Sequence, residues 1–251
     1  MRRGGSVSEP SHPSPFPAIA AVNAPTSLSA ATSRVLGTRA RRRPLTRPIR
    51  GITVGAAFPS DGPVSVLLAG EAPGPQGCDQ SGRPFVGDLA GLHLFRALVA
   101  TGRATFPALP PGASPPPWDG AAMRDAGYLP TLHDTAITNA YPTCPTADGF
   151  RFVAPTRAQV ESAENLARLR DEVAAARGRG LRSVVVLGKA ADRAFGTVLG
   201  LRDDPTLRYH AICHPSAQGL LTTAPGRGKG AAIADLEDRW VARLTAILRD
   251  A

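Results

Sequence analysis

Four side chains spaced along this chain could together do acid–base or electrostatic chemistry. Glu71 directly follows the apolar run VSVLLAG (64–70) and opens a segment rich in glycine and proline, GEAPGPQGCDQSGRPFVG (70–87). A carboxylate leaving a buried strand into such a loop is partly desolvated and rigidly held. It can orient a water, act as a base or stabilise a developing cation, or it can simply cap backbone amides. Phe85, fixed between Pro84 and Gly87, is either a platform for a flat ring or a core anchor. Asn139 ends the run TAIT, and its amide carries both donors and acceptors, as reading the edge of a planar heterocycle requires. An Asx turn at a strand end is the alternative. His214, before Pro215 and Ser216, can donate a hydrogen bond to an anion or a leaving group, or the three residues can start a helix. His12, His93, His133 and His210 have no comparable setting and read as structural or surface residues.

These residues must be positioned by regular elements. Four β-type runs, VSVLLAG (64–70), DTAITNAYP (134–142), SVVVLG (183–188) and RYHAICHP (208–215), alternate with helical stretches. The helices are expected near 88–101 and 119–127, from Thr156 to Gly178, over KAADRAFGTVL, and along Ile233–Ile247. Thr156 and Gln159 have capping-box spacing, and Gly178 and Gly180 supply the stop. Ile233, Leu236, Trp240, Leu244 and Ile247 recur at intervals of three and four, the pattern of a helix docked on a core. Such alternation predicts a three-layer α/β/α domain around a four-stranded parallel sheet. Ligands of such sheets bind beyond the carboxyl ends of the strands, where Glu71, Asn139 and His214 all fall.

Composition narrows the function further. Residues 1–50 carry nine arginines and one acid, a net of +8, whereas the remaining 201 residues hold 20 Lys and Arg against 19 Asp and Glu. The basic character therefore belongs to an Arg-, Pro- and Ser-rich stretch, read as a disordered tail over 1–60 ahead of a catalytic domain over 61–251. A polyanion is its natural partner. A transit peptide or an extension without function fits equally well, so the setting is read as a bacterial cytoplasm with organellar targeting left open. Cys78, Cys144 and Cys213 are odd in number and far apart, which argues against disulfides and against zinc or iron–sulfur ligation. No cofactor, metal or membrane span is expected, and the chain is read as a monomer.

The order Gly-Glu-Ala-Pro-Gly, Gly-x-Pro-Phe-Val-Gly, Ile-Thr-Asn-Ala, His-Pro-Ser resembles the uracil-DNA glycosylase superfamily, across about 64–221. The resemblance implies hydrolysis of the N-glycosidic bond of a flipped, deaminated base in DNA, as in base-excision repair. It implies that Glu71 serves the water or the oxocarbenium-like sugar and that Phe85 stacks on the base. Asn139 would read the base edge, and His214, with Ser216 beside it, would stabilise the departing base. The backbone at Gly70, Ala72, Pro73 and Gly74 would face base and sugar, the glycines permitting close approach. Leu220 or Leu221 would be a wedge filling the gap left by the base, or two leucines packed inward, with Arg227 and Lys229 on phosphates.

The match is mixed. Gly-Glu-Ala-Pro-Gly is the form of the iron–sulfur glycosylases, yet their cluster cysteines have no counterparts here. The spacer Pro75–Ser81 is one residue longer than theirs and resembles that of the single-strand-selective monofunctional uracil glycosylases, which usually carry Asn where this chain has Ala72. No lysine lies in the four motifs, which points to a monofunctional enzyme and away from Schiff-base lyase chemistry. The alternative to an enzyme is a non-catalytic member that binds nucleic acid or a nucleotide.

Overall fold

The computed structural model describes residues 47–251. Strand β1 (Val66–Gly70) leads into the short helix α1 (Cys78–Ser81) and helix α2 (Leu89–Ala100). The two-residue strand β2 (Ala104–Thr105), helix α3 (Gly120–Asp125) and strand β3 (Thr131–Leu132) follow, β2 and β3 pairing as a small antiparallel ribbon. Strand β4 (Thr135–Asn139), helices α4 (Arg157–Val160) and α5 (Ala163–Gly178), and strand β5 (Ser183–Leu187) continue the chain. Helix α6 (Lys189–Ala191) runs into a π-helical turn (Asp192–Val198) and leads to strand β6 (Arg208–Ile212); helices α7 (Ala217–Thr223) and α8 (Ile233–Arg249) complete the body. Strands β4, β1, β5 and β6 form one parallel sheet in that order.

The inner strands β1 and β5 are apolar but for Ser183 because both faces of the sheet are covered. Val66, Leu68, Ile137, Val185, Leu187 and Ile212 pack against Leu94, Phe95 and Leu98 of α2 and Trp240 and Leu244 of α8. Alternate residues, Leu67, Ala69, Ala136, Val184 and Val186, face Leu169 and Val173 of α5 and Phe195. The result is the three-layer α/β/α arrangement expected. Among the described residues, no helix is long and apolar enough to cross a membrane.

Two local departures have physical causes. The helix expected to run unbroken from Thr156 begins with the anticipated capping box but is interrupted after α4. Ser162 starts a new helix by accepting from the Asn165 N–H, and Asn165 Nδ2 donates to the Val160 carbonyl at 2.7 Å, replacing the backbone donor that a continuous helix would supply. Beyond β5, Gly196 allows the Tyr209 hydroxyl to approach within 2.4 Å of where a Cβ would lie, and that hydroxyl donates to Asp192 Oδ1 at 2.8 Å. The helix there takes the wider π form.

Residues 1–46 of the stretch read as a tail lie outside the described residues, but residues 47–60 are part of the folded body. Val54 is buried, its N–H donates to the Pro142 carbonyl, and Ala57 exchanges both backbone hydrogen bonds with Ile137 on the outer side of β4. The Arg50 and Gly51 amides donate to the buried Asp79 carboxylate at 2.7 and 2.8 Å, and Gln80 Nε2 donates to the Pro48 carbonyl. This strap binds both the sheet edge and the loop after β1, so a boundary at residue 60 falls too late. A chain starting at residue 47 is expected to keep the full-length urea midpoint. One starting at residue 61 should lose at least about 2 kcal/mol, the burial of Val54 plus two charge-assisted hydrogen bonds. Equal midpoints for the two truncations would show the strap to be inert.

Candidate functional site

The register of the sheet assembles the site. Gly70 and Asn139 are the last residues of neighbouring strands and pair with each other. A Cβ at Gly70 would lie 2.4 Å from Phe85 Cζ and 2.7 Å from Asn139 Oδ1, so ring, amide and glycine meet at one point. Asn139 is 2% exposed, and its Nδ2 is buried with no hydrogen-bond partner among the described residues. An orphaned donor of this kind costs about 1–3 kcal/mol unless a water or a ligand meets it. The Asn139 carbonyl accepts from Arg168 Nη2 at 3.0 Å and the Ala140 carbonyl from Asn165 Nδ2 at 2.8 Å, which fixes the end of β4 from behind.

Glu71, next along from Gly70, is half-buried, and no side chain among the described residues hydrogen-bonds its carboxylate. Burial pushes its pKa above the usual carboxylate value. His214, two residues beyond β6, is seated between Gly188 and Gly219, where a Cβ would lie 3.2 Å from His214 Cβ and 2.2 Å from its carbonyl oxygen. Burial lowers its pKa to about 4, so the imidazole is neutral near pH 7. The Ser216 amide donates to Nδ1 at 3.3 Å, which leaves the proton on Nε2 and makes that nitrogen a donor. Strands β1 and β6 stand two strand spacings apart, roughly 10 Å, with β5 between them. The carboxylate and the imidazole therefore follow strands that end on the same edge of the sheet.

Phe85 is buried and adopts φ 63°, a left-handed conformation that for a non-glycine residue costs on the order of 1–3 kcal/mol. Its surroundings hold it there. The Phe85 N–H donates to Cys78 Sγ at 2.7 Å, and a Cβ at Gly91 would lie 1.7 Å from the Phe85 carbonyl oxygen. Burial, with the neighbouring Asp88 charge, keeps the Cys78 thiol protonated, so its S–H can donate to Asp88. The Asp88 carboxylate also accepts from the Gly74 and Cys78 amides at 3.2 and 3.1 Å, and its backbone carbonyl accepts from Trp118 Nε1 at 2.6 Å. One carboxylate thus ties the start of the loop to its end. Cys78, Asp88, Asn165 and Arg168 escape a reading of the sequence, because each acts on a partner that only the fold brings near.

The other expected residues divide. Ala72 is half-buried and Pro73 buried, both beside Glu71. Gly74 does not leave open space: a Cβ there would meet Asp88 Oδ1 at 2.1 Å, as one at Gly77 would meet the Asp88 backbone. These glycines permit loop-to-loop packing, and within the loop only Gly70 is bare toward Phe85 and Asn139. Ser216 caps α7 by accepting from the Gly219 amide. Leu220 is 4% exposed and belongs to the core beside α8, so it is not free to act as a wedge; Leu221, at 37%, is exposed. Arg227 and Lys229 are exposed beyond α7 and have no carboxylate partner among the described residues. A cavity of about 210 Å³ lies apart from these groups, lined by Phe58, Pro84, Val86, Phe95 and Ile137 among others; neither Glu71, Asn139 nor His214 reaches it. The described residues contain no cluster of His, Cys, Asp and Glu that could hold a metal ion.

No family model matches the chain, and no curated protein is similar to it. Among solved structures it is similar to the crystal structure of wild-type SMUG2 from Pedobacter heparinus, with a TM-score of 0.44 and 13% identity over 74% of this chain and 77% of that one.

The loop circuit is directly testable. Cys78→Ala strands the buried Phe85 N–H and should lower stability by about 1–3 kcal/mol in urea denaturation. Amide hydrogen exchange should speed up at Phe85 ahead of the sheet. Unchanged exchange at Phe85 would show that the thiol does not hold it.

Proposed function

We propose that this chain is a monofunctional DNA glycosylase that hydrolyses the N-glycosidic bond of uracil or another deaminated base. The observation that carries the reading is the orphaned amide of Asn139 beside the Phe85 ring, with a desolvated carboxylate and a neutral imidazole on the same sheet edge. A flipped base stacks on Phe85 and offers an edge to Asn139, whose side-chain amide carries both a donor and an acceptor for it. Breaking the bond separates charge: the sugar becomes cationic while the base leaves as an anion. Glu71 stabilises the first and orients the attacking water. His214, through Nε2–H, donates to the second without itself bringing a positive charge. The resemblance of the four sequence motifs to the uracil-DNA glycosylase superfamily points the same way.

The decisive experiment is single-turnover cleavage, after alkali, of single- and double-stranded oligonucleotides bearing uracil, hypoxanthine or xanthine. Excision of at least one base is expected, and none from any substrate would overturn the reading. With the best base, Glu71→Gln and His214→Ala should each slow excision about 10²- to 10³-fold, the scale of one preorganised electrostatic contact, with circular dichroism unchanged. Phe85→Ala should weaken base capture by roughly 1–3 kcal/mol, and Asn139→Asp should change which base is accepted. If both Glu71→Gln and His214→Ala are folded and as fast as wild type, these roles are wrong.

The pH profile follows from the same groups. The Glu71 carboxylate is active when ionised and its pKa is raised, so excision should fall in acid as the pH drops through that value. His214 is neutral above about 4 and adds no inflection near neutrality. The acid limb should disappear in Glu71→Gln; its survival there would assign it to another group.

A further inference from the structure

The loop after β4 carries a feature that the candidate site does not use. Phe150 and Phe152 are 52% and 41% exposed, on either side of the exposed Arg151. Two open phenylalanines separated by a cation are unusual on a surface and form a hydrophobic tip with positive charge at its centre.

The tip is held by a tight turn. Asp148 Oδ1 accepts from the Phe150 and Arg151 amides at 2.9 and 2.8 Å, Thr146 Oγ1 accepts from the Gly149 amide at 2.9 Å, and Gly149 takes φ 77°. Thr146 and Phe152 form an antiparallel bridge, and the Val153 amide donates to the Pro145 carbonyl. The Asp148 carboxylate is engaged by these amides, and its nearest approach to Arg151 is 3.8 Å between exposed groups, a pairing of little strength. The guanidinium is free to meet an external anion.

The turn belongs to the segment that follows β4, the strand that ends in Asn139. Its stem continues from Asn139 through the buried Cys144. The Gly149 carbonyl accepts from Ile49, on the strap that holds Asp79. On the far side of the sheet, beyond β6, Leu221 is exposed with Arg227 and Lys229 following it. The segment after β4 thus presents two phenylalanines with one cation, and the segment after β6 one leucine with two cations.

We propose that Phe150, Arg151 and Phe152 form a contact surface for unpaired bases of single-stranded DNA that flank the candidate site, the rings stacking on bases and the guanidinium meeting a phosphate. The inference rests on the DNA-glycosylase reading for its ligand. Stacking suits exposed rings because every base has a face to offer, whereas the paired bases inside a duplex do not.

The test measures binding without excision, using a fluorescein-labelled oligonucleotide of about 16 undamaged nucleotides, single-stranded or as a blunt duplex, at several salt concentrations. Phe150→Ser combined with Phe152→Ser should weaken single-strand binding at least about tenfold, since one lost base stack is worth roughly 5- to 150-fold. Duplex binding should change much less. Arg151→Gln should reduce the salt slope for the single strand by about 0.7, one phosphate contact. If the double variant binds the single strand as wild type does, the proposal falls, even where wild type excises a base. If instead the double variant loses single-strand affinity while wild type excises nothing, the surface stands and the enzymatic reading falls. Unchanged oligonucleotide binding with altered sedimentation, or with altered protease sensitivity of residues 1–46, would assign the turn to a second copy or to the chain's own N-terminus and overturn the proposal.

Discussion

Strand β1 lies between β4 and β5 with every residue buried, and most of the molecule follows from that placement. A parallel strand covered on both faces cannot carry a polar side chain along its length without desolvating it. A polar side chain can therefore stay accessible only where the strand stops, and the first is Glu71, directly after Gly70. The parallel register aligns that end with the ends of β4 and β6, so Asn139 and His214 arrive on the same edge from distant parts of the chain. The opposite edge is sealed by Arg103, whose guanidinium donates to Asp134, to Ser65 and to the Leu248 carbonyl, fastening α8 beneath the starts of the strands.

How much of this was legible in the sequence depended on the range of the interaction. The sheet was legible because uninterrupted apolar runs such as VVVL can be satisfied only between two layers. The capping box at Thr156 was legible because its partners are three residues apart. The break before Ser162 was not, because it depends on Asn165 reaching a carbonyl outside its own turn. Leu220 and Leu221 are adjacent and chemically identical, so only the direction of α7 separates the core residue from the exposed one. The exposed Phe150 was equally hidden, since a phenylalanine in a chain carries no mark of which side of a turn it will take.

The loop after β1 shows how a segment poor in regular structure can still be rigid. Its glycines are spent on contacts between backbones: Gly87 against Gly120, Gly120 against Gly77, Gly77 against Asp88. A carboxylate at the end of the loop accepts amides from its beginning, and a thiol links that carboxylate to the strained Phe85. Burial of Asp88 raises its pKa while the hydrogen bonds from Cys78, Gly74 and Gly77 oppose the rise, so the charge is kept by its partners more than by solvent. Flexibility in composition has become order through packing.

The strap along β4 has a consequence for how the chain comes together. Its residues precede every strand of the sheet, yet Ala57 can pair only after Ile137 is in place on the outer strand. Closing so long a loop is entropically unfavourable until the partner surface exists, which makes the strap a late event in folding. Until it docks, β4 presents an open row of amides and carbonyls, the kind of edge on which strands of other molecules can add. The segment synthesised first among the described residues is thus the one that closes the sheet last, and the interval between the two is when the chain is most exposed to misassembly.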